Sequence, residues 1–126
     1  MSTIKANDLT NTTGGIPTVK GQRLIPTAWV NFNGTGTVAI RDSENVSSVT
    51  DNSTGEYQIN FAVAMANTNY SVVGMADEGS TNGYVSMYID RTLTITTSSC
   101  LVQCINNASS YKDATYAMIQ VMGGQA

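Results

Sequence analysis

The sequence predicts an all-β chain: an antiparallel β-sandwich or jelly-roll-like domain over residues 25–126, preceded by an extended N-terminal arm over residues 1–24. Three observations predict it. Apolar and polar residues alternate in short runs from Ile25 onward. Turn-forming residues punctuate those runs every eight to twelve positions, and each run is four to seven residues long.

The arm comes first. Residues 1–24 alternate poorly, and Thr10-Asn11-Thr12-Thr13-Gly14-Gly15-Ile16-Pro17 is a loop-type stretch. Fully extended, such a segment reaches up to about 80 Å. It reads as a floppy tail or as a docking strap that orders on a partner, the second reading being the favoured one. Ala28, Val30 and Phe32 then alternate with Trp29, Asn31 and Asn33, and Asn33-Gly34-Thr35-Gly36 supplies a turn. Val38 and Ile40 resume the apolar side against Thr37, Ala39 and Arg41. Asp51-Asn52-Ser53-Thr54-Gly55 reads as the turn before the clearest strand, in which Tyr57, Ile59 and Phe61 alternate with Glu56, Gln58 and Asn60.

The tract from Phe61 to Asn67 is rich in Ala and Met but too short for a stable helix, and is expected to be a strand end running into a turn. Later strands are expected at Tyr70–Val73, Tyr84–Ile89, Leu93–Thr96, Cys100–Ile105 and Tyr116–Met122, with Asn82-Gly83 as a hairpin signal.

Cys100 and Cys104 lie four residues apart. On a strand that separation is about 13 Å, too far for a disulfide. Both are expected on one face beside Val102, as small buried hydrophobes.

Composition excludes several roles. The net charge is −3 and the six Lys and Arg are scattered, so phosphate-driven binding to nucleic acid is not expected. No apolar run is long enough to cross a bilayer, so no membrane insertion is expected, and the N-terminus lacks a secretory signal core, which makes synthesis in a cytoplasm the expectation. Only 12% of residues are charged, while Ser, Thr and Asn supply about a third of the chain. That charge content is about half the usual, and it suits a surface that neighbouring subunits cover, because few charges then need desolvating.

Histidine is absent, which removes the usual general base and the common zinc ligand. Asp42 with Glu44, and Asp77 with Glu78, are carboxylate neighbours without a motif. No catalytic residue, metal site or cofactor is expected, and the chain reads as a non-enzyme. The aromatic residues are more informative. Tyr84 and Tyr88 share a strand side opposite Val85, Met87 and Ile89, and Trp29 lies opposite Val30 and Phe32. These three are the candidate partner or glycan contacts, because such rings give area while keeping a polar handle; packing in the core between two sheets is the alternative for Tyr84 and Tyr88.

The run Ala28-Trp29-Val30-Asn31-Phe32-Asn33-Gly34-Thr35-Gly36-Thr37-Val38-Ala39-Ile40-Arg41 resembles a segment that recurs in bacteriophage tail-fibre and other virion proteins. The similarity continues through Asn45 to Asn52 and Gly55 to Phe61, and Ile4 to Gly15 resembles the leader that often precedes it. The resemblance implies a structural protein of a tailed phage particle and a homotrimer. Such proteins are fibre tips that touch the host or small particle-surface proteins. With the arm-plus-domain layout this gives an arm, residues 1–24, that docks on other virion proteins and a β domain that faces outward. A host-surface glycan is the partner expected of the three rings. The motif carries no catalytic residues. Only the arm precedes Ala28, so a short fibre, a tip subunit, a capsid decoration (cement) protein and a glycan-binding, lectin-like module stay open.

Overall fold

The computed structural model of the protein describes residues 18–19, 22–23, 25–80, 84–89 and 95–124. Among the described residues ten strands run in chain order: β1 (Thr18–Val19), β2 (Gln22–Arg23), β3 (Ala28–Asn33), β4 (Ala39–Glu44), β5 (Val46–Ser53), β6 (Glu56–Phe61), β7 (Tyr70–Asp77), β8 (Val85–Ile89), β9 (Ser99–Asn106) and β10 (Tyr116–Gly123). Strands β1 and β2 form a small antiparallel pair, so that part of the expected arm folds back on itself. Residues 1–17 lie outside the described residues, as do Asn82-Gly83 and Leu93-Thr94.

The remaining eight strands make two antiparallel sheets, ordered β4-β3-β10-β7 and β5-β6-β9-β8. This is the expected β-sandwich. Its core follows from the period of two, because alternate residues of each central strand point inward. Ala28, Val30 and Phe32 of β3 and Ala117, Ile119 and Val121 of β10 meet Tyr57, Ile59 and Phe61 of β6 and Cys100, Val102 and Cys104 of β9. Two edge-to-face ring pairs tie the sheets together: Phe32 with Tyr57 at 5.1 Å, and Phe61 with Tyr70 at 5.8 Å. Such pairs contribute about 0.5–1.5 kcal/mol beyond their buried area. Both cysteines are fully buried free thiols, and burial pushes each up to about 12. They are packing groups, as expected.

Tyr57 closes one end of the sandwich. Its hydroxyl lies 3.0 Å from the Gly34 carbonyl and 3.1 Å from the Asp113 carboxylate, and accepts from the Ala114 amide. Burial drives its ionisation upward. A Cβ at Gly34 would sit 2.3 Å from that hydroxyl, so only glycine lets the turn close over the ring. Gly55, at φ +69°, donates to the same Asp113 carboxylate at 2.8 Å. At the other end the Tyr70 hydroxyl donates to the carbonyls of Thr96 or Ser99 at 2.7 and 3.1 Å.

The chain passes between sheets at Asn45, which takes φ +53° between β4 and β5. Its side chain donates to the Thr27 and Val63 carbonyls and accepts from the Val63 amide. That triple clamp holds a left-handed conformation that asparagine tolerates better than most residues.

Four expectations need correction. Strand β5 was not anticipated: Asp51–Ser53, expected as a turn, belong to it, and the turn is confined to Thr54-Gly55. Its inward residues Val46 and Val49 are half-buried and too far apart to signal alternation, because register shifts break the ladder at both ends. Ile40 is exposed instead of facing the core, since β4 is an edge strand with its own register shift against β3. Strand β7 extends four residues past Val73 to Asp77. Ile95 and Thr96 lie outside any strand; the Thr96 hydroxyl instead accepts from the Ser98 and Ser99 amides in a local turn.

Candidate functional site

A sandwich of two four-stranded sheets has two outer faces, and here they differ in chemistry. The outer face of β4-β3-β10-β7 is apolar. Register places Trp29, Gln120 and Val73 in one row, and Asn31, Met118 and Met75 in the next. Met122 extends the apolar surface along β10 and Tyr116 closes the far end. Val73 is 60% exposed and Met75 is 73% exposed, while Met118, Met122 and Tyr116 are each close to half exposed. Between Trp29, Val73, Met75 and Met118 lies a groove of about 550 Å³, floored by backbone at Gly74.

Charge on this face is confined to its margins. The register runs Asp42↔Asn31 and Ile40↔Phe32, which leaves Arg41 as an extra residue. Such a bulge re-aims a side chain. The Arg41 guanidinium lies 4.5 Å over the Tyr116 ring, donates to the Thr115 carbonyl at 2.6 Å and reaches Asn31 at 3.3 Å. Asp42 and Glu44 share the β4 margin with it, and Asp77 ends β7 on the opposite margin. The central strands β3 and β10 carry no charged residue.

The outer face of β5-β6-β9-β8 is covered by hydroxyls and amides. Gln58 donates to Asn60 at 2.6 Å, and Asn60 donates to Ser48 and Thr50, each at 3.0 Å. Glu56 accepts from Ser53 and from Gln103, and Gln103 pairs across the ladder with Tyr88. Tyr84 is 77% exposed and Tyr88 54% exposed, on the side of β8 away from Val85 and Met87, which pack on the core. Tyr111, bridged to Ile105, and Ser86, paired with the same residue, join this side.

The three expected contact residues are therefore all outside the core, but they do not form one site. Tyr84 and Tyr88 share a face, and Trp29, half-buried, belongs to the other sheet. Sequence reasoning missed Tyr111 and the methionine face. The signal for the latter was present in Tyr116 to Met122, where residues on both sides of the strand are apolar.

Together these features define a class: an antiparallel β-sandwich with one apolar, charge-poor outer face and one hydrogen-bonding outer face that carries tyrosines. Beyond that class, comparison with family models, with curated proteins and with solved structures finds no match for this chain.

Proposed function

We propose that this chain is a bacteriophage virion structural protein of the tail-fibre class. In this reading residues 1–24 anchor it to other virion proteins, and the β-sandwich assembles as a homotrimer exposed to the host surface. The observation that carries the reading is the apolar outer face of β4-β3-β10-β7. A small domain with so few charges and several exposed methionines on one sheet is built for contact, because contiguous apolar patches on monomers rarely exceed a few hundred Å². The resemblance adds support. The segment that carries it, Ala28 to Phe61, spans β3 to β6, a hairpin in each sheet joined at Asn45.

Light scattering on the full chain tests the assembly. A homotrimer at micromolar concentration is expected, and a clean monomer would remove the trimer. Deleting residues 2–24 should leave the sandwich folded and abolish incorporation into particles; normal incorporation would refute the anchoring role. Copy number on a quantitative gel separates locations. A few tens per particle at most fit a tail, whereas hundreds would move the protein to capsid decoration.

A second reading, glycan binding, is favoured by one specific arrangement: Tyr84, Tyr88 and Tyr111 around Ser86, Gln103 and Glu56 on the neutral face. Tyrosine rings stack on sugars while amides and carboxylates bond hydroxyls. A glycan array with the assembled protein is expected to give binding that Tyr88→Ala abolishes. No binding to any glycan would leave assembly as the role of the domain.

A further inference from the structure

We infer that copies of this chain meet through the apolar outer face of β4-β3-β10-β7, with the groove between Trp29, Met75 and Met118 receiving side chains of the neighbouring copy. The inference rests on the self-assembly proposed above and assigns it a surface. Three observations select this face and this occupant.

Chemistry comes first. Val73, Met75, Met118 and Met122 are exposed on one sheet, while β5 and β6 of the other sheet present Ser, Thr, Asn and Gln outward and its exposed rings, Tyr84, Tyr88 and Tyr111, each carry a hydroxyl. Hydration costs free energy for the first and not for the second. Methionine adds an adaptable, polarisable side chain, which can fill a groove in a neighbour without a rigid match.

Area comes second. Four strands of six to eight residues present roughly 450 Å² in projection, a substantial share of the roughly 800 Å² per partner typical of stable interfaces. In a trimer every copy contributes such a face to one shared contact.

Charge comes third. An uncharged centre lets two like faces approach without repulsion, and the net acidic margin of Asp42, Glu44 and Asp77 against one Arg41 disfavours nucleic acid and anionic lipid. In a trimer each copy turns this face toward the threefold axis, and the β4 margin of one copy lies beside the β7 margin of the next. Arg41 and Asp77 are both at the Tyr116 end of the sheet, so opposite charges fall at one height.

The experiment uses the full chain with introduced cysteines, because Cys100 and Cys104 are buried. Asp42 and Met75 stand in one row on the two margins of the apolar face, too far apart to bridge within one copy but side by side across the seam of the trimer. Asp42→Cys with Met75→Cys, and Ser48→Cys on the opposite face as the control, are oxidised at micromolar concentration and run on a denaturing gel. Covalent trimers from the Asp42→Cys, Met75→Cys pair and no covalent oligomer from Ser48→Cys are expected. In parallel, Val73→Glu with Met75→Glu should weaken self-association at least tenfold, with an unchanged far-ultraviolet spectrum.

A chain that stays oligomeric with both glutamates, or that cross-links through position 48 or not at all, overturns the face assignment while leaving self-assembly intact. A monomeric wild type overturns both. Should the double glutamate variant fail to fold, the cross-linking result decides alone.

Discussion

At the scale of single residues the ends of the sandwich depend on two buried tyrosines and its middle on two buried thiols. Removing the Tyr57 hydroxyl leaves the Gly34 carbonyl and the Ala114 amide with one partner fewer in a site without water access. Tyr57→Phe should therefore cost about 1–3 kcal/mol, read as a lower urea midpoint at unchanged slope. A loss below the error of the measurement would mean that the hydroxyl is not a structural tie.

The thiols make a pH prediction. Burial holds Cys100 and Cys104 protonated up to about 12, against an ordinary 9.0. Between those values the unfolded chain releases protons that the folded chain keeps. Their contribution is thus complete well below pH 9 and is lost as pH rises from about 9 toward the folded value, by at most roughly 1 kcal/mol per pH unit for each thiol. Urea midpoints measured between about pH 9 and 10 should drop steeply in the wild type, and less so in a Cys100→Ala, Cys104→Ala variant.

At the scale of elements the legible strands were those with one side buried and the other wet. Tyr57, Ile59 and Phe61 repeat the period of two without interruption, and so do Ala28, Val30 and Phe32; both became central strands. Strand β5 was illegible for a physical reason. It is an edge strand with two register shifts, so its inward valines fall at Val46 and Val49, an odd separation that no uniform alternation produces. The candidate site was legible in part for the same reason. Alternation put Tyr84 and Tyr88 on one side of a strand and Trp29 opposite Val30 and Phe32, but left open whether the tyrosine side faced the core; strand order decides that and the sheet each belongs to, and no periodicity carries strand order. The corner at Asn45 was equally hidden, because one residue in a left-handed conformation leaves no pattern. Its role is testable. Asn45→Ala loses three hydrogen bonds and keeps the strained φ, and should cost about 2–3 kcal/mol. Asn45→Gly loses the same bonds without the strain, and should cost about 1 kcal/mol less than Asn45→Ala in urea titrations. Equal costs would mean that the side-chain clamp, not the φ angle, governs the corner.

At the scale of the whole molecule the distribution of charge predicts how assembly responds to its surroundings. Salt screens interactions between exposed charges, with a reach of about 10 Å at 0.1 M, but leaves apolar contact largely untouched. The centre of the proposed interface has no charge, and its margins hold only Arg41 against Asp77, with Asp42 and Glu44 nearby. Self-association should therefore change less than about fivefold between low and high ionic strength, since a marginal pair is worth about 0–1 kcal/mol. Temperature should matter more. Burying methionine, valine and tryptophan removes apolar surface from water, a driving force that is entropic near 25 °C and weakens on cooling. Sedimentation equilibrium at several temperatures and salt concentrations separates the two cases: an apolar interface loosens in the cold and is indifferent to salt. An association that collapses in salt and is unmoved by cooling would place the contact on charged residues, and so on a different part of the surface.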